Sequence, residues 1–236
     1  VNLLVRISKS DIEKIGFMKN TSEKTKIKFI DLSEVKSYRK KQTIIREKEE
    51  VDKIYVLIDG KVSISKMSED GELKIIFILN SGDLINEISF EEHHTSTVAC
   101  EAFEKALVAE IPIDDFKKIM KEDFNLTSNL FSCVEKRTRR LYRQLKNSIS
   151  IRVDKKLAAK LCRLSREFGI NEGEWTYLNI NITITYLADM LGTKRETLSR
   201  AMKTLQEKDL VKYEGKKIFV KTEKLVRYFK DNKQNS

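Results

Sequence analysis

The period of the apolar positions changes twice along this chain. Residues 11–35 place Ile15, Phe17, Met18, Phe29, Ile30 and Leu32 at loose helical spacing, which predicts a lightly anchored helical opening segment. From about residue 35 to residue 111 the apolar residues gather into short β-rich runs: 43–45, 53–58, 61–66, 74–79, 95–99 and 106–111. Turn residues separate them at Asp59-Gly60, Glu69-Asp70-Gly71-Glu72 and Ser81-Gly82-Asp83. Many short strands at this spacing predict an antiparallel β-barrel or sandwich, and closure into a barrel would also hide the strand edges. Pro112, the only proline, marks the return to helical spacing. Asp114 and Asp115 fall in a first turn, where negative charge suits the helix dipole, and Phe116, Ile119 and Met120 form the apolar stripe.

A long helix is expected from about residue 125 to 149. Leu130, Val134, Leu141, Leu145 and Ile149 recur along it, interrupted at Thr138, which Arg137, Arg139 and Arg140 surround. A narrow apolar seam on a long helix needs a partner. An identical helix from a second subunit is one partner, giving a homodimer; the chain's own barrel is the alternative.

A further helix over 154–168 would bury Leu157, Ala158, Leu161, Cys162 and Leu164 and end toward Gly169. Gly173, Trp175 and Tyr177 then lead into a strand-like run at 178–182. The stretch 183–211, TITYLADMLGTKRETLSRAMKTLQEKDLV, reads as two short helices about a tight turn. Ala188 and Gly192 are small where the helices must cross, and Gly192 closes the first at a position that favours left-handed backbone. Leu187, Leu191, Leu198, Met202 and Leu205 would form the shared core. Opposite them lie Arg195, Glu196, Ser199 and Arg200. An arginine can grip guanine O6 and N7 with two bonds, and a glutamate can accept from the cytosine amino group. The plainer alternative is a solvated charged face on an ordinary helical hairpin. A small hairpin follows, 211–213 and 218–220 about Glu214-Gly215-Lys216-Lys217, then a last helix over 222–229 and a frayed tail.

Charge sharpens this picture. The net charge is +10, distributed as −3 over residues 1–123, +5 over 124–148 and +8 over 149–236. The basic excess begins just before the helix pair and runs through it, as a polyanion partner would require. No apolar run is long enough to span a bilayer, so no membrane contact is expected. The opening VNLLVRISKSDIEK has no small-residue cleavage site, and the expected compartment is the cytoplasm. Cys100, Cys133 and Cys162 are irregularly spaced and form no C-x-x-C pair, so they read as free buried thiols and no metal site is expected. There is no G-x-S-x-G, phosphate loop or H-E-x-x-H, and the two histidines are adjacent; an enzyme is not expected.

Barrel, long helix and winged helix pair, in that order, resemble the CRP/FNR superfamily of bacterial transcription regulators. The resemblance rests on IYVLIDGKVSI and EDGELKIIFILNSGDLINEISFEE in the barrel and on LADMLGTKRETLSRAMKTLQEKDLV with its EGKKIFV wing. It implies an α+β fold: an N-terminal antiparallel β-barrel of the cyclic-nucleotide-binding jelly-roll kind, a long dimerisation helix and a C-terminal winged helix-turn-helix. The implied division is a sensor domain over 1–123, a dimer helix over 124–150 with Leu130, Val134, Leu141 and Leu145 as its seam, and a DNA-binding domain over 151–236. Within R-E-T-x-S-R, the resemblance implies that Glu196, Ser199 and Arg200 read base edges and that Arg195 reads a base or holds a phosphate. Phosphate contacts are expected from Thr183, Thr193, Lys194, Thr197, Lys216 and Lys217. The Glu-x-x-Ser-Arg form looks like the FNR-type branch, whose members favour TTGA-type half-sites in an inverted repeat. Lys194 departs from the usual Ser or Thr at the N-cap position that the resemblance implies, leaving Thr193 as the expected cap. RNA polymerase is an implied partner. The competing reading is a small-molecule-binding barrel whose helix pair serves a protein contact.

The implied effector region comprises Glu87, Ile88, Thr95, Ser96 and Thr97. Cyclic-nucleotide-binding members open this loop with Gly-Glu-Leu and close it with Arg-Ser/Thr. Here the opening is Asn86-Glu87-Ile88, and no arginine lies between Glu87 and Val98. A phosphate without its guanidinium fork loses the strongest part of such recognition, so cAMP is not expected. Haem-binding members use a barrel His or Cys, which points to His93 or His94. On a polar loop after Glu91-Glu92 these read as surface, and haem is not expected either. The iron–sulfur branch carries N-terminal cysteines, whereas the first here is Cys100, which excludes that cluster.

Overall fold

Residues 11–35 do not form one helix. The computed structural model describes residues 7–68, 71–90, 94–148 and 152–230, so His93, Ile149 and the tail 231–236 lie outside it. Ser8 caps a short helix, α1 (Lys9–Lys14), through a reciprocal box with Asp11. A 3₁₀ turn (Gly16–Met18) and left-handed Asn20 interrupt the chain before Ser22 caps α2 (Glu23–Leu32). Phe17 and Phe29 nevertheless anchor the segment, packing edge-on with Phe116 at ring separations of 6.3–6.4 Å.

The chain divides into two compact units, Val1–Arg140 and Leu141–Ser236. In the first, the strands form two jelly-roll-like antiparallel sheets and not a closed barrel. One has the order β1-β7-β3, from β1 (Glu34–Tyr38), β7 (Ala106–Pro112) and β3 (Lys53–Asp59). The other has the order β2-β6-β4-β5, from β2 (Thr43–Ile45), β6 (Ala99–Ala102), β4 (Lys61–Met67) and β5 (Leu73–Asn80). Alternation decides what each face buries. Ile54, Val56 and Ile58 of β3, with Ala109 and Ile111 of β7, pack on the helices, while Leu57, Ala106 and Val108 face the second sheet's Val62, Ile64, Phe77 and Cys100. The run expected as a strand at 95–99 is displaced to β6. Ser96 turns the chain there by bonding its hydroxyl to Val98 O at 2.7 Å, and its backbone pairs with Lys48 and Glu49.

Two helices complete this unit, α3 (Ile113–Glu122) and α4 (Phe124–Ser148), the latter running on past Arg140. Asp123 joins α4 to α2. One carboxylate oxygen accepts from the Ser22 amide at 2.9 Å and the Thr25 hydroxyl at 2.7 Å, the other from the Asn125 and Leu126 amides at 3.0 and 3.3 Å. These bonds, the Ser22 amide first, hold its carboxyl down at about 2 against an ordinary 3.8. A depressed carboxyl contributes stability above its unfolded pKa and loses it as pH falls through the folded value. Urea midpoints of the wild type and Asp123→Asn should therefore converge as pH falls from 4 toward 2. A gap independent of pH would show that the charge contributes nothing.

The second unit begins with α5 (Val153–Phe168). Gly169 ends it as expected and also opens β8 (Gly169–Glu172); a Cβ there would lie 2.0 Å from Ser165 O, so the position needs glycine. The expected strand at 178–182 sits earlier, as β9 (Trp175–Leu178). Beyond it, Ile180 N to Leu178 O at 2.7 Å and Ile182 N to Ile180 O at 3.0 Å compact the backbone and withdraw it from ladder pairing. There follow α6 (Ile184–Leu191), α7 (Arg195–Glu207), the hairpin β10 (Val211–Glu214) and β11 (Lys217–Val220), and α8 (Thr222–Lys230). The four strands make one sheet, β10-β11-β9-β8. Among the described residues no helix is long and apolar enough to cross a membrane.

Candidate nucleic-acid interface

Helix α6 starts where Thr183 accepts from the Tyr186 amide at 3.1 Å, so its side chain is an N-cap. It ends at Gly192, with φ 60° and ψ 54°, and the Gly192 and Thr193 amides both return to Ala188 O. That left-handed residue turns the chain directly into α7, as the spacing of Ala188 and Gly192 predicts. The expected cap by Thr193 is not formed: Lys194 holds the N-cap position and no side chain bonds the first-turn amides.

α7 is divided cleanly by burial. Leu198, Ala201, Met202 and Leu205 are buried with Leu187 and Ala188 of α6, whereas Arg195, Glu196, Thr197, Ser199 and Arg200 are all exposed. The structure therefore brings the four expected base-reading side chains onto one open face. Lys203 extends it one turn further on, a residue that the motif did not single out. In the wing, Lys216 and Lys217 are exposed about Gly215, whose φ of 61° makes the tight turn. Lys217 Nζ lies 5.1 Å from the Tyr177 ring centre, and Lys212 Nζ lies within 4.9 Å of both the Trp175 and Phe219 rings. Aromatic faces so brace the wing lysines while leaving them solvated.

The effector region is less open than the sequence suggests. Glu87, Thr95 and Thr97 are exposed, but Ser96 is buried with its hydroxyl committed to Val98, and Ile88 packs into the helix-side core. Asn86, where a glycine stands in the cyclic-nucleotide pattern, accepts from Tyr55 N and donates to Lys53 O, both at 2.9 Å. Its amide group thus serves as an extra strand partner for β3, which glycine could not do. Arg137 reaches in from α4 and donates to the Leu84 and Ile85 carbonyls. Burial, with Glu87 adding, pushes the Cys100 thiol up to about 12, and burial raises Cys133 and Cys162 as well. His94 is half-buried, and among the described residues no group of three His, Cys, Asp or Glu side chains could hold a metal.

On α4 the seam is redrawn. Leu130 is only 2% exposed and belongs with Leu126 to the chain's own core, so it is not a free seam residue. Val134, Leu141 and Leu145 are exposed, and Phe124, Phe131 and Tyr142 join them.

Family models match both parts of this arrangement: the cyclic nucleotide-binding domain over residues 35–123 and the Crp-like helix-turn-helix domain over 155–228. The chain belongs to the CRP/FNR superfamily. It is a DNA-binding transcription regulator of the CRP/FNR type. A relative from Pasteurella multocida, a cAMP-activated global transcriptional regulator, is 27% identical over 81% of this chain and 92% of its own. A CRP-like cAMP-activated global transcriptional regulator from Mycobacterium tuberculosis is 24% identical over 78% of this chain and 83% of its own. Among solved structures, the c-di-GMP-responsive global regulator CLP of Xanthomonas campestris superposes with a TM-score of 0.75 at 21% identity, covering 84% of this chain and 99% of that one. In CRP/FNR terms, α6 and α7 are the helix-turn-helix and β10–β11 the wing.

Proposed function

We propose that the protein works as a homodimer on an inverted repeat of TTGA-like half-sites, each protomer laying the N-terminal half of α7 in a major groove. The observation that carries this is the division of α7 into a buried apolar face and an open face bearing Arg195, Glu196, Ser199 and Arg200. Glu196, Ser199 and Arg200 read bases, and Arg195 reads a base or a phosphate. Thr183, Thr193, Lys194, Thr197, Lys216 and Lys217 hold the backbone. The uncapped first turn of α7 supports the phosphate role of Thr193 and Lys194, since free helix amides attract anions. Residues 1–123 sense, 124–150 dimerise and 151–236 bind DNA, with RNA polymerase as the downstream partner.

A small-molecule signal at the roll fits the link from Arg137 on α4 to the carbonyls of Leu84 and Ile85, because displacement of that loop pulls directly on the dimer helix. The relatives' cAMP does not transfer readily: no arginine lies between Glu87 and Val98, and Asn86 is occupied in bracing β3. Fluorescence anisotropy with a TTGA-type palindrome and a scrambled duplex tests the reading. The palindrome should be preferred, and equal affinity for both would sink the specificity claim. Lys217→Ala should weaken both duplexes alike and reduce the slope of log K against log salt by about 0.9 for each phosphate that is no longer neutralised.

A further inference from the structure

We infer that Lys221 is a positioning residue that locks the wing to the end of the recognition helix, and that wing contact with DNA depends on this lock. Lys221 follows β11 directly, and its side chain is 7% exposed. Its ammonium lies 2.7 Å from Asp209 Oδ2, 2.9 Å from Glu174 Oε2 and 4.6 Å from the Trp175 ring centre. The contacts come from two separate elements, the turn after α7 and the β8–β9 hairpin. Asp209 ends the turn after α7 in a left-handed conformation, φ 55°, and Glu174 sits at the tip of the β8–β9 hairpin. The Lys221 amide donates to Leu210 O at 3.0 Å, and its own carbonyl accepts from Leu225 N at the start of α8. One buried cation thus joins the exit of α7, the last strand of the wing, the neighbouring hairpin and the last helix.

This arrangement differs from the surface lysines that touch DNA. Lys221 is turned into the unit between two carboxylates, and its bonds to Asp209 and then Glu174 keep its ammonium charged well above the usual lysine range. Its charge is committed to those two carboxylates and not to a phosphate. Its effect falls on Lys216 and Lys217, at the other end of the strand it terminates. Pairing of Phe219 and Val220 with β9 and burial of Val211, Ile218 and Val220 hold the base of the wing, and Lys221 adds the ion pair that fixes its end against the exit of α7. Phosphate contacts fix register only when their donors stay in place.

This inference rests on the DNA reading of the wing, and the salt slope separates the two. Lys221→Met severs the lock from inside. Asp209→Asn with Glu174→Gln severs it from the surface, where both carboxylates are more than half exposed. Slopes are measured on the TTGA-type palindrome, with a thermal melt of each variant. Both variants should flatten the slope by about 1.8, one phosphate for each of the two protomers, as Lys217→Ala does, and adding Lys217→Ala to either should cost almost nothing more. The carboxylate variant raises the net charge by two units, so nonspecific electrostatics alone would steepen its slope. A folded variant pair with unchanged or steeper slopes, or an undiminished Lys217→Ala cost in both backgrounds, overturns the inference. An unchanged slope for Lys217→Ala in the otherwise native chain overturns the wing's DNA role itself.

Discussion

Arg200→Ala is expected to cost about 1–3 kcal/mol at each half-site, and about twice that on the full palindrome. Arg200 is exposed on α7, and Ala201, Met202 and Leu205 beyond it are buried, so the helix beneath it is held in place. Truncation removes a planar donor pair that matches guanine O6 and N7 while leaving the packing intact. The loss should be specific to sequence. Against a palindrome whose guanines are replaced, native and variant proteins should bind almost equally, and the variant's preference for TTGA should collapse. Arg200→Lys should not restore it, because an ammonium is a point charge without the two-pronged geometry. Anisotropy at one fixed salt concentration measures all of these. A variant that weakens both duplexes by the same factor would place Arg200 on the backbone and leave base reading to Glu196 and Ser199.

The reading face was legible because a helix keeps its period whatever surrounds it. Leu198, Met202 and Leu205 had to share a side, so Arg195, Glu196, Ser199 and Arg200 had to share another, and Gly192 fixed the turn. The roll was legible only in outline. Its strand runs were visible, yet β1 was missed, since Glu34–Tyr38 carries little apolar pattern and is held by pairing along its whole length with β7. Part of what holds it is Glu110 on β7, which is 3% exposed and bonds Lys36 at 2.8 Å, Tyr38 at 2.7 Å and Lys53 at 3.1 Å. Burial raises its carboxyl's pKa, and these bonds outweigh that and keep it below the ordinary value. No local pattern announces a cross-strand partner of this kind. Asn86 is a similar case: read as a lost glycine, it proves to be a strand substitute for β3.

The long helix shows how two signals can be merged in a sequence. Leu126, Leu130, Cys133, Arg137 and Arg140 face the chain's own roll, with the Arg140 guanidinium 4.7 Å from the Phe77 ring centre. Phe131, Val134, Thr138 and Leu141 each follow one of these by a single position, about 100° further round the helix. Leu130 and Val134 therefore share one seam by spacing while belonging to two in the fold. The chain's own roll takes the inner stripe, and the outer stripe is the one available to the proposed second copy.

The outer stripe gives the second large effect. Phe131→Glu should convert the dimer to monomers at micromolar concentration and abolish tight binding to the palindrome. Phe131 is 68% exposed in the single chain, and Val134 and Leu145 are 55% and 65% exposed on the same stripe. A Phe side chain fully buried in a dimer contributes about 1.5–3 kcal/mol, and a symmetric dimer loses two of them, about 3–6 kcal/mol in all. That alone raises the dimer dissociation constant by roughly 10²- to 10⁴-fold, before two facing carboxylates add their repulsion. A monomer reaches one half-site only, so the palindrome affinity should fall to that of a single site. Leu130→Ala is the informative control: it opens a cavity in the chain's own core, lowering stability while leaving the dimer assembled. Sedimentation equilibrium separates the two variants. A Phe131→Glu protein that stays dimeric would move the interface off this stripe, whereas monomers that still bind the palindrome tightly would mean that two-fold pairing of the recognition helices is set elsewhere.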